Sequence, residues 1–122
     1  MSRFLEGKEI KTNMYLVHVG INAESKAEAQ AIAALFQSVL ELEKYENDEQ
    51  IFMDSCIEIM KTPGLGKKGH LAFKTENLEA AVSKMQKRGI KFAEENFKYD
   101  GNGKLCAAYL KNEIAGFAVH LM

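Results

Sequence analysis

The sequence predicts an α+β fold in which two tandem βαβββ modules form a half-open, mixed β-sheet barrel with helices on the outside. Three observations lead to this prediction. A pattern of short strand-like runs around one amphipathic helix occurs twice in the 122 residues. The two occurrences are in register, since His18 precedes His70 and Ser25 precedes Asn77 by the same 52 positions. Between them, the segment 61–69 holds the only proline and three glycines, which indicates a loop.

The composition is that of an ordinary globular domain, with 47% hydrophobic residues, 27% charged residues and a net charge of -1. A chain of this length can bury a real hydrophobic core. The sequence has no basic stripe with interleaved aromatic residues, so nucleic acid is not an expected partner. No apolar run approaches the roughly 18 residues that span a bilayer, and residues 1–8 lack the apolar core of a signal peptide. We therefore expect a cytoplasmic protein with no membrane partner.

The two cysteines, Cys56 and Cys106, both lie in apolar runs. They are too few for a disulfide framework, and no CxxC or CxxH spacing indicates a zinc finger. We expect two buried, reduced thiols.

The chain divides into a leading segment and one domain. Residues 1–13 are polar with weak periodicity, which indicates a loose leader or an edge segment. Residues 14–122 form the domain, with the first module at 14–61 and the second at 69–122. The predicted elements of the first module are a strand at 14–21, a helix at 25–41 and strands at 43–46, 50–53 and 56–60. Those of the second module are a strand at 70–74, a helix at 78–88 and strands at 90–94, 105–111 and 115–121.

Both predicted helices have clear start signals and one apolar stripe. Ser25 with Glu28 three residues later fits a capping box, and Asn77 can cap the second helix. A helix with one apolar stripe buries it against a sheet. The stripe of the first helix consists of Ala27, Ala31, Leu35 and Val39, with Ile32, Phe36 and Leu40 beside it.

Strand alternation decides which side chains are left for the face of the sheet opposite the helices. In the first strand, the bulky face that the helix would cover consists of Tyr15, Val17, Val19 and Ile21. The same alternation turns one titratable side chain from each of four strands to the opposite face, namely His18, Glu58, His70 and His120.

These four side chains include all three histidines of the chain. Imidazole and carboxylate groups are suitable ligands for a divalent first-row metal. A buried carboxylate such as Glu58 also needs a cation or hydrogen-bond donors near it. We therefore predict that the four side chains meet and bind one divalent ion (Ni, Co, Zn or Fe). The alternative is a polar cavity without a metal, in which each histidine has a structural role.

With these residues in place, the sequence resembles the vicinal oxygen chelate superfamily, which includes glyoxalase I, fosfomycin-resistance proteins, extradiol dioxygenases, methylmalonyl-CoA epimerase and bleomycin-resistance proteins. The resemblance covers residues 14–122 and implies that the first and fourth strands of each module supply the metal ligands. These are His18 in LVHVGI, Glu58 in IEIM, His70 in GHLAF and His120 in VHLM. The first three are similar to the nickel/cobalt type of glyoxalase I. His120 departs from the pattern, because glyoxalases usually have the proton-transferring glutamate there.

A narrower resemblance is carried by the segments 61–70, 97–100 and 114–120. They are similar to small glyoxalase-like modules, some of which are fused to keto-deoxy-phosphogluconate aldolases in anaerobic bacteria. This chain has no room for an aldolase barrel, so it would be a free-standing version. The resemblance further implies a homodimer with metal sites shared between subunits.

The expected function follows from the charge of the bound metal. An ion chelated by two vicinal oxygens of a small substrate stabilises an enediolate or similar oxyanion, and Glu58 or His120 moves a proton. This predicts a lyase or isomerase of the glyoxalase type. Lys61 and Lys111 are candidates for holding an anionic substrate, although each also fits a solvated strand end. The alternative function is a metal-free binding or accessory module, linked to keto-deoxy sugar acid metabolism.

Overall fold

The computed structural model describes residues 2–5, 8–11 and 14–122, with side chains described from Met14 onward. Strands β1 (Ser2–Leu5) and β2 (Lys8–Lys11) pair antiparallel as a separate two-stranded sheet. The rest of the predicted leader 1–13 lies outside the described residues.

The domain is built on one mixed sheet. Its elements are β3 (Met14–Asn22), α1 (Lys26–Leu40), β4 (Lys44–Glu46), β5 (Gln50–Met53), β6 (Ile57–Met60), β7 (Gly69–Thr75), α2 (Leu78–Lys87), β8 (Lys98–Tyr99), β9 (Leu105–Tyr109) and β10 (Phe117–Leu121). The eight strands lie in the order β4-β5-β6-β3-β7-β10-β9-β8. Pairs β3–β6 and β7–β10 are parallel, and β3–β7 is the antiparallel seam where the two halves of the sheet meet. This confirms the predicted α+β fold with a mixed, open sheet and two helices in the described chain.

Both helices begin at their predicted capping residues. The Ser25 side chain accepts a hydrogen bond from the Glu28 backbone N–H at 3.0 Å, and Asn77 does the same for Ala80 at 3.0 Å. The Glu28 carboxylate accepts from the N–H of Glu24 at 3.2 Å instead of that of Ser25. Each cap contributes about 1 kcal/mol. No helix in the described part of the chain has the length and apolar character that a membrane crossing requires.

The predicted apolar stripe of α1 is wrong in part. The helix packs on β5 and β6 through its small residues Ala29 and Ala33, which are fully buried. Ile32 and Phe36 are partly buried and pack against the same core, whereas the remaining large apolar residues of the helix lie outside it. Leu35, Val39 and Leu40 are 63%, 71% and 58% exposed.

The predicted strand at 90–94 is also wrong. Phe92 makes only an isolated bridge with Leu110, and the chain then turns through a short 3₁₀ segment, Glu94–Asn96. The edge strand of this half is β8, which pairs with β9. The last strand begins at Phe117, later than predicted, because Ala115 and Gly116 form a turn with positive φ angles of 54° and 86°.

A β-bulge alters the predicted faces of β3. His18 lies opposite Ala72 but Leu16 lies opposite Phe73, so Val17 is the extra residue. The bulge reverses the alternation on its N-terminal side, and Tyr15 therefore shares the face of His18. The prediction that Tyr15 lies on the helix side of the sheet is wrong for this reason.

The cysteine prediction is wrong as well, since Cys56 and Cys106 are both exposed. Cys56 lies in the turn that precedes β6. Cys106 alternates with Ala107, which faces the concave side of the sheet, and so points to the outside.

Candidate metal centre

The register of the four central strands brings the four predicted side chains together. Gly20 of β3 lies opposite both Glu58 of β6 and His70 of β7. Ala72 of β7 lies opposite both His18 and His120 of β10. Because paired residues point to the same face, all four side chains project from the concave side of the sheet.

The side chains converge on one small volume. The Nε2 atoms of His18 and His70 are 3.1 Å apart, and Glu58 Oε1 lies 2.9 Å from His70 Nε2 and 3.6 Å from His18 Nε2. The three histidines each offer one ligand nitrogen within 4.8 Å of the other two. All four residues belong to one chain, so this ligand set needs no second subunit to complete it, unlike the shared site that the resemblance implied.

Three neighbouring side chains hold the cluster in place. Gln50 Nε2 donates a hydrogen bond to Glu58 Oε2 at 2.9 Å. The ring of Phe52 meets His18 edge-on at a centroid distance of 6.0 Å, and Tyr109 stacks on His120 at 4.7 Å. Sequence reasoning missed these three residues, although Phe52 and Tyr109 lie directly opposite Glu58 and His120 in the register.

The cluster is buried and its protonation states suit metal binding. Glu58, His70 and His120 are only 8%, 7% and 7% exposed. Burial lowers the pKa of His120 to about 4, with a further lowering from the charges of His70 and His18, and burial also lowers the pKa of His18. Burial raises the pKa of Glu58, but hydrogen bonds from His70 and Gln50 outweigh it, and the pKa is lowered overall. At pH 7 the cluster thus offers neutral imidazoles at His18 and His120 and a carboxylate at Glu58.

The spacing of the donor atoms fits a metal ion. With bonds of about 2.0–2.2 Å, adjacent ligand atoms lie about 2.8–3.6 Å apart in octahedral or tetrahedral geometry. The three distances among His18, His70 and Glu58 run from 2.9 to 3.6 Å. Nδ1 of His120 is buried without a hydrogen-bond partner, which leaves this imidazole with an unused polar atom. A set of nitrogen and carboxylate donors of this kind suits a divalent first-row metal.

A cavity of about 570 Å³ opens onto the cluster. Its walls combine apolar and polar side chains, and its rim carries the exposed charges of Glu49, Glu95 and Lys98. The other lining residues are Gln50, Met60, Gly64, Leu65, Asn96, Phe97, Ala107 and Tyr109, together with the four residues of the cluster.

The two predicted substrate-binding lysines lie elsewhere. Lys61 is buried, and its Nζ lies 2.6 Å from Glu46 Oε2 and 2.6 Å from the carbonyl oxygen of Asn47. Lys111 is exposed in the turn after β9. Neither lines the cavity, whereas Lys98 does. Sequence reasoning missed Lys98 because its position depends on the unpredicted strand β8.

The chain matches no family model and no curated protein. Solved structures do match it. A hypothetical protein of Bacillus halodurans is 15% identical with a TM-score of 0.65, covering 90% of this chain and 94% of that one. A methylmalonyl-CoA epimerase in complex with methylmalonyl-CoA and NH4+ is 13% identical with a TM-score of 0.63 and the same coverage. The methylmalonyl-CoA epimerase of Mycobacterium tuberculosis is 15% identical with a TM-score of 0.55, covering 87% and 85%. At these identities the likeness establishes the fold alone: the chain has the fold of these epimerases, which are among the proteins that the sequence resemblance named.

Proposed function

We propose that this protein is a divalent-metal-dependent enzyme of the isomerase or lyase type that acts on a small oxygenated substrate. The observation that carries the proposal is the convergence of His18, Glu58, His70 and His120 at metal-ligand spacing. These four residues would hold the ion. When bound, a divalent ion supplies positive charge that stabilises an oxyanion developing on two neighbouring substrate oxygens.

Proton transfer is assigned to the chain's own side chains, and the geometry favours His120 over Glu58. Both oxygens of Glu58 already face partners, since Oε1 is bound to His70 and Oε2 to Gln50. His120 is neutral at pH 7 because its pKa is lowered to about 4, and its Nδ1 has no hydrogen-bond partner. A neutral imidazole has one ring lone pair, so His120 would accept a proton from a carbon next to a carbonyl and return it while detached from the ion, which His18, Glu58 and His70 would then hold.

The cavity supports a small substrate. Its volume of about 570 Å³ is typical of small-molecule sites. The epimerases among the structural neighbours support the isomerase type, because an epimerase inverts a stereocentre. Acyl-CoA is not carried over as substrate, because the epimerases are only 13% and 15% identical to this chain and likeness at that level shows the fold alone.

The homodimer also belongs to the proposal. An apolar hollow of about 480 Å³ lies on the convex side of the molecule. It is lined by the exposed Leu35, Val39 and Leu40 of α1 together with Ile21, Ile32 and Phe36. We call this the α1 face; it consists of Ile21, Ile32, Leu35, Phe36, Val39 and Leu40. Its lining has no polar surface, so it offers no charge for a polar partner to match. A second copy of the chain can present the same apolar face to it across a two-fold axis.

Elemental analysis tests the metal centre first. Protein purified without an affinity tag or chelator is expected to carry about one divalent ion per chain, and His70→Ala is expected to lose it. Gln37→Ala, at an exposed position of α1, serves as a control that keeps the ion. If wild type binds no metal even after incubation with Ni, Co, Zn or Fe(II), the metal-dependent mechanism is excluded. The cavity is then a metal-free binding pocket in which His70 lies within hydrogen-bonding distance of His18 and Glu58.

A further inference from the structure

The charge of the candidate metal centre limits what it can bind. Histidine ligands bind a metal as neutral imidazoles, so His18, His70 and His120 add no charge. Glu58 is the one anionic group of the set. A divalent ion held by these four residues therefore leaves the centre with one net positive charge.

The surroundings do not offset this charge. The side chains that contact the cluster are Gln50, Phe52 and Tyr109, and all are neutral. The charged residues of the cavity, Glu49, Glu95 and Lys98, are exposed at the rim. Water and salt screen charges in such positions, whereas they screen a buried charge far less.

We propose that this centre selects substrates that carry a single negative charge on one of two neighbouring oxygens, as in 2-oxo and 2-hydroxy carboxylates. The inference rests on the proposed function, because it needs the metal. A buried net charge is unfavourable, and a monoanion that enters the cavity neutralises it. A neutral diol or hydroxyketone of the same size leaves the positive charge unpaired. A carboxylate at the position of His120 would neutralise the centre and remove the preference.

The test compares two probes of equal size on Co(II)-loaded protein. Pyruvate is a monoanion with two vicinal oxygens, and hydroxyacetone is its neutral counterpart. The visible absorption of Co(II) reports binding of each probe without any assay of activity. Wild type is expected to bind pyruvate at least tenfold more tightly than hydroxyacetone.

Two independent changes cancel the charge. His120→Glu replaces a neutral ligand with an anionic one, and Gln50→Glu adds a carboxylate beside Glu58 without changing a ligand. Each is expected to reduce the preference for pyruvate, measured as the dissociation constant of hydroxyacetone divided by that of pyruvate, at least tenfold. The controls are His120→Gln, which keeps the fourth ligand neutral, and Gln30→Glu, which adds the same charge on α1 beside Glu46. Both controls should retain the preference for pyruvate, and circular dichroism confirms that each variant is folded.

The outcomes separate the two proposals. If wild type binds Co(II) but the ratio is the same in wild type, His120→Glu and Gln50→Glu, the charge inference is overturned and the metal centre stands. If wild type binds no Co(II), the proposed function fails, and the inference fails with it.

Discussion

A Cβ atom at Gly20 would lie 2.0 Å from Cε1 and 2.1 Å from Nδ1 of His70. Gly20 is the inward-facing residue of β3 between the two ligand strands β6 and β7. The imidazole of His70 therefore occupies the space in which any other residue would place its side chain. Because Gly20 has no side chain, His70 Nε2 can come within 3.1 Å of His18 Nε2 and 2.9 Å of Glu58 Oε1.

Gly20→Ala is expected to weaken metal binding at least tenfold. The added methyl group must displace the ring of His70, and displacement of a ligand by about 1 Å takes it out of bonding distance. Isothermal titration with Zn(II) or Co(II) measures the change. Gly101→Ala is the control, because a Cβ there meets nothing within 4 Å. Metal binding by Gly20→Ala with wild-type affinity would show that His70 is not held by this contact.

Lys61→Met is expected to destabilise the fold by roughly 2 kcal/mol. The substitution removes a buried ammonium and leaves Glu46 and the carbonyl of Asn47 without it. This loss of stability lies between the losses expected for exposed and for fully buried ion pairs, because the side chain of Glu46 is 33% exposed. Urea unfolding of the metal-free protein measures the loss. The control Lys111→Met removes an exposed lysine, and its change should stay within about 0.5 kcal/mol.

The ion pair of Lys61 and Glu46 should also make the free energy of unfolding depend on pH. The hydrogen bond from Lys61, with smaller contributions from Lys44 and Gln30, lowers the pKa of Glu46 from 4.5 to about 2. A carboxyl group with a lowered folded-state pKa stabilises the protein fully above its unfolded pKa, and this contribution is lost as the pH falls through the folded value. The difference in unfolding free energy between wild type and Lys61→Met should therefore be constant above pH 4.5 and shrink toward pH 2. A difference that stays constant to pH 2.5 would mean that Lys61 does not act through the charge of Glu46.

Val39→Glu is expected to convert a dimer into a monomer. Val39 is 71% exposed on the α1 face, and a carboxylate there would be buried against its symmetry mate in the dimer. Sedimentation velocity at a range of concentrations gives the mass of the wild type and the variant. Gln37→Glu adds the same charge to an exposed position of α1 outside this face and should remain dimeric. A wild type that sediments as a monomer at high concentration would rule out the proposed dimer.

The sequence was sufficient to predict the four residues of the cluster because strand alternation is a local property. Each of the four lies in a short run whose bulky neighbours define the opposite face, and this needs no knowledge of strand order. The bulge at Val17 could not be predicted, since one extra residue in a strand leaves no pattern in composition. Strand β8 has only two residues, and its pairing with β9 depends on tertiary contacts.

The error on α1 has a different physical cause. The apolar residues of the helix outnumber those that one sheet can cover, and periodicity alone does not say which of them face the sheet. The side that packs is the one with Ala29 and Ala33, where small side chains allow close approach to Ile51 and Ile59. The roles of Gln50 and Tyr109 likewise required the register, because neither residue type stands out on its own.

The seam between β3 and β7 has a consequence for how the protein unfolds. His18 and Glu58 come from the first half of the sheet, and His70 and His120 from the second, so a bound ion would join the two halves across it in addition to the strand pairing. At a free ion concentration of 100 times the dissociation constant, binding adds about 2.7 kcal/mol to stability. Both halves would lose their structure together in the loaded protein. Chelation would remove this contribution and lower the unfolding temperature of the loaded protein.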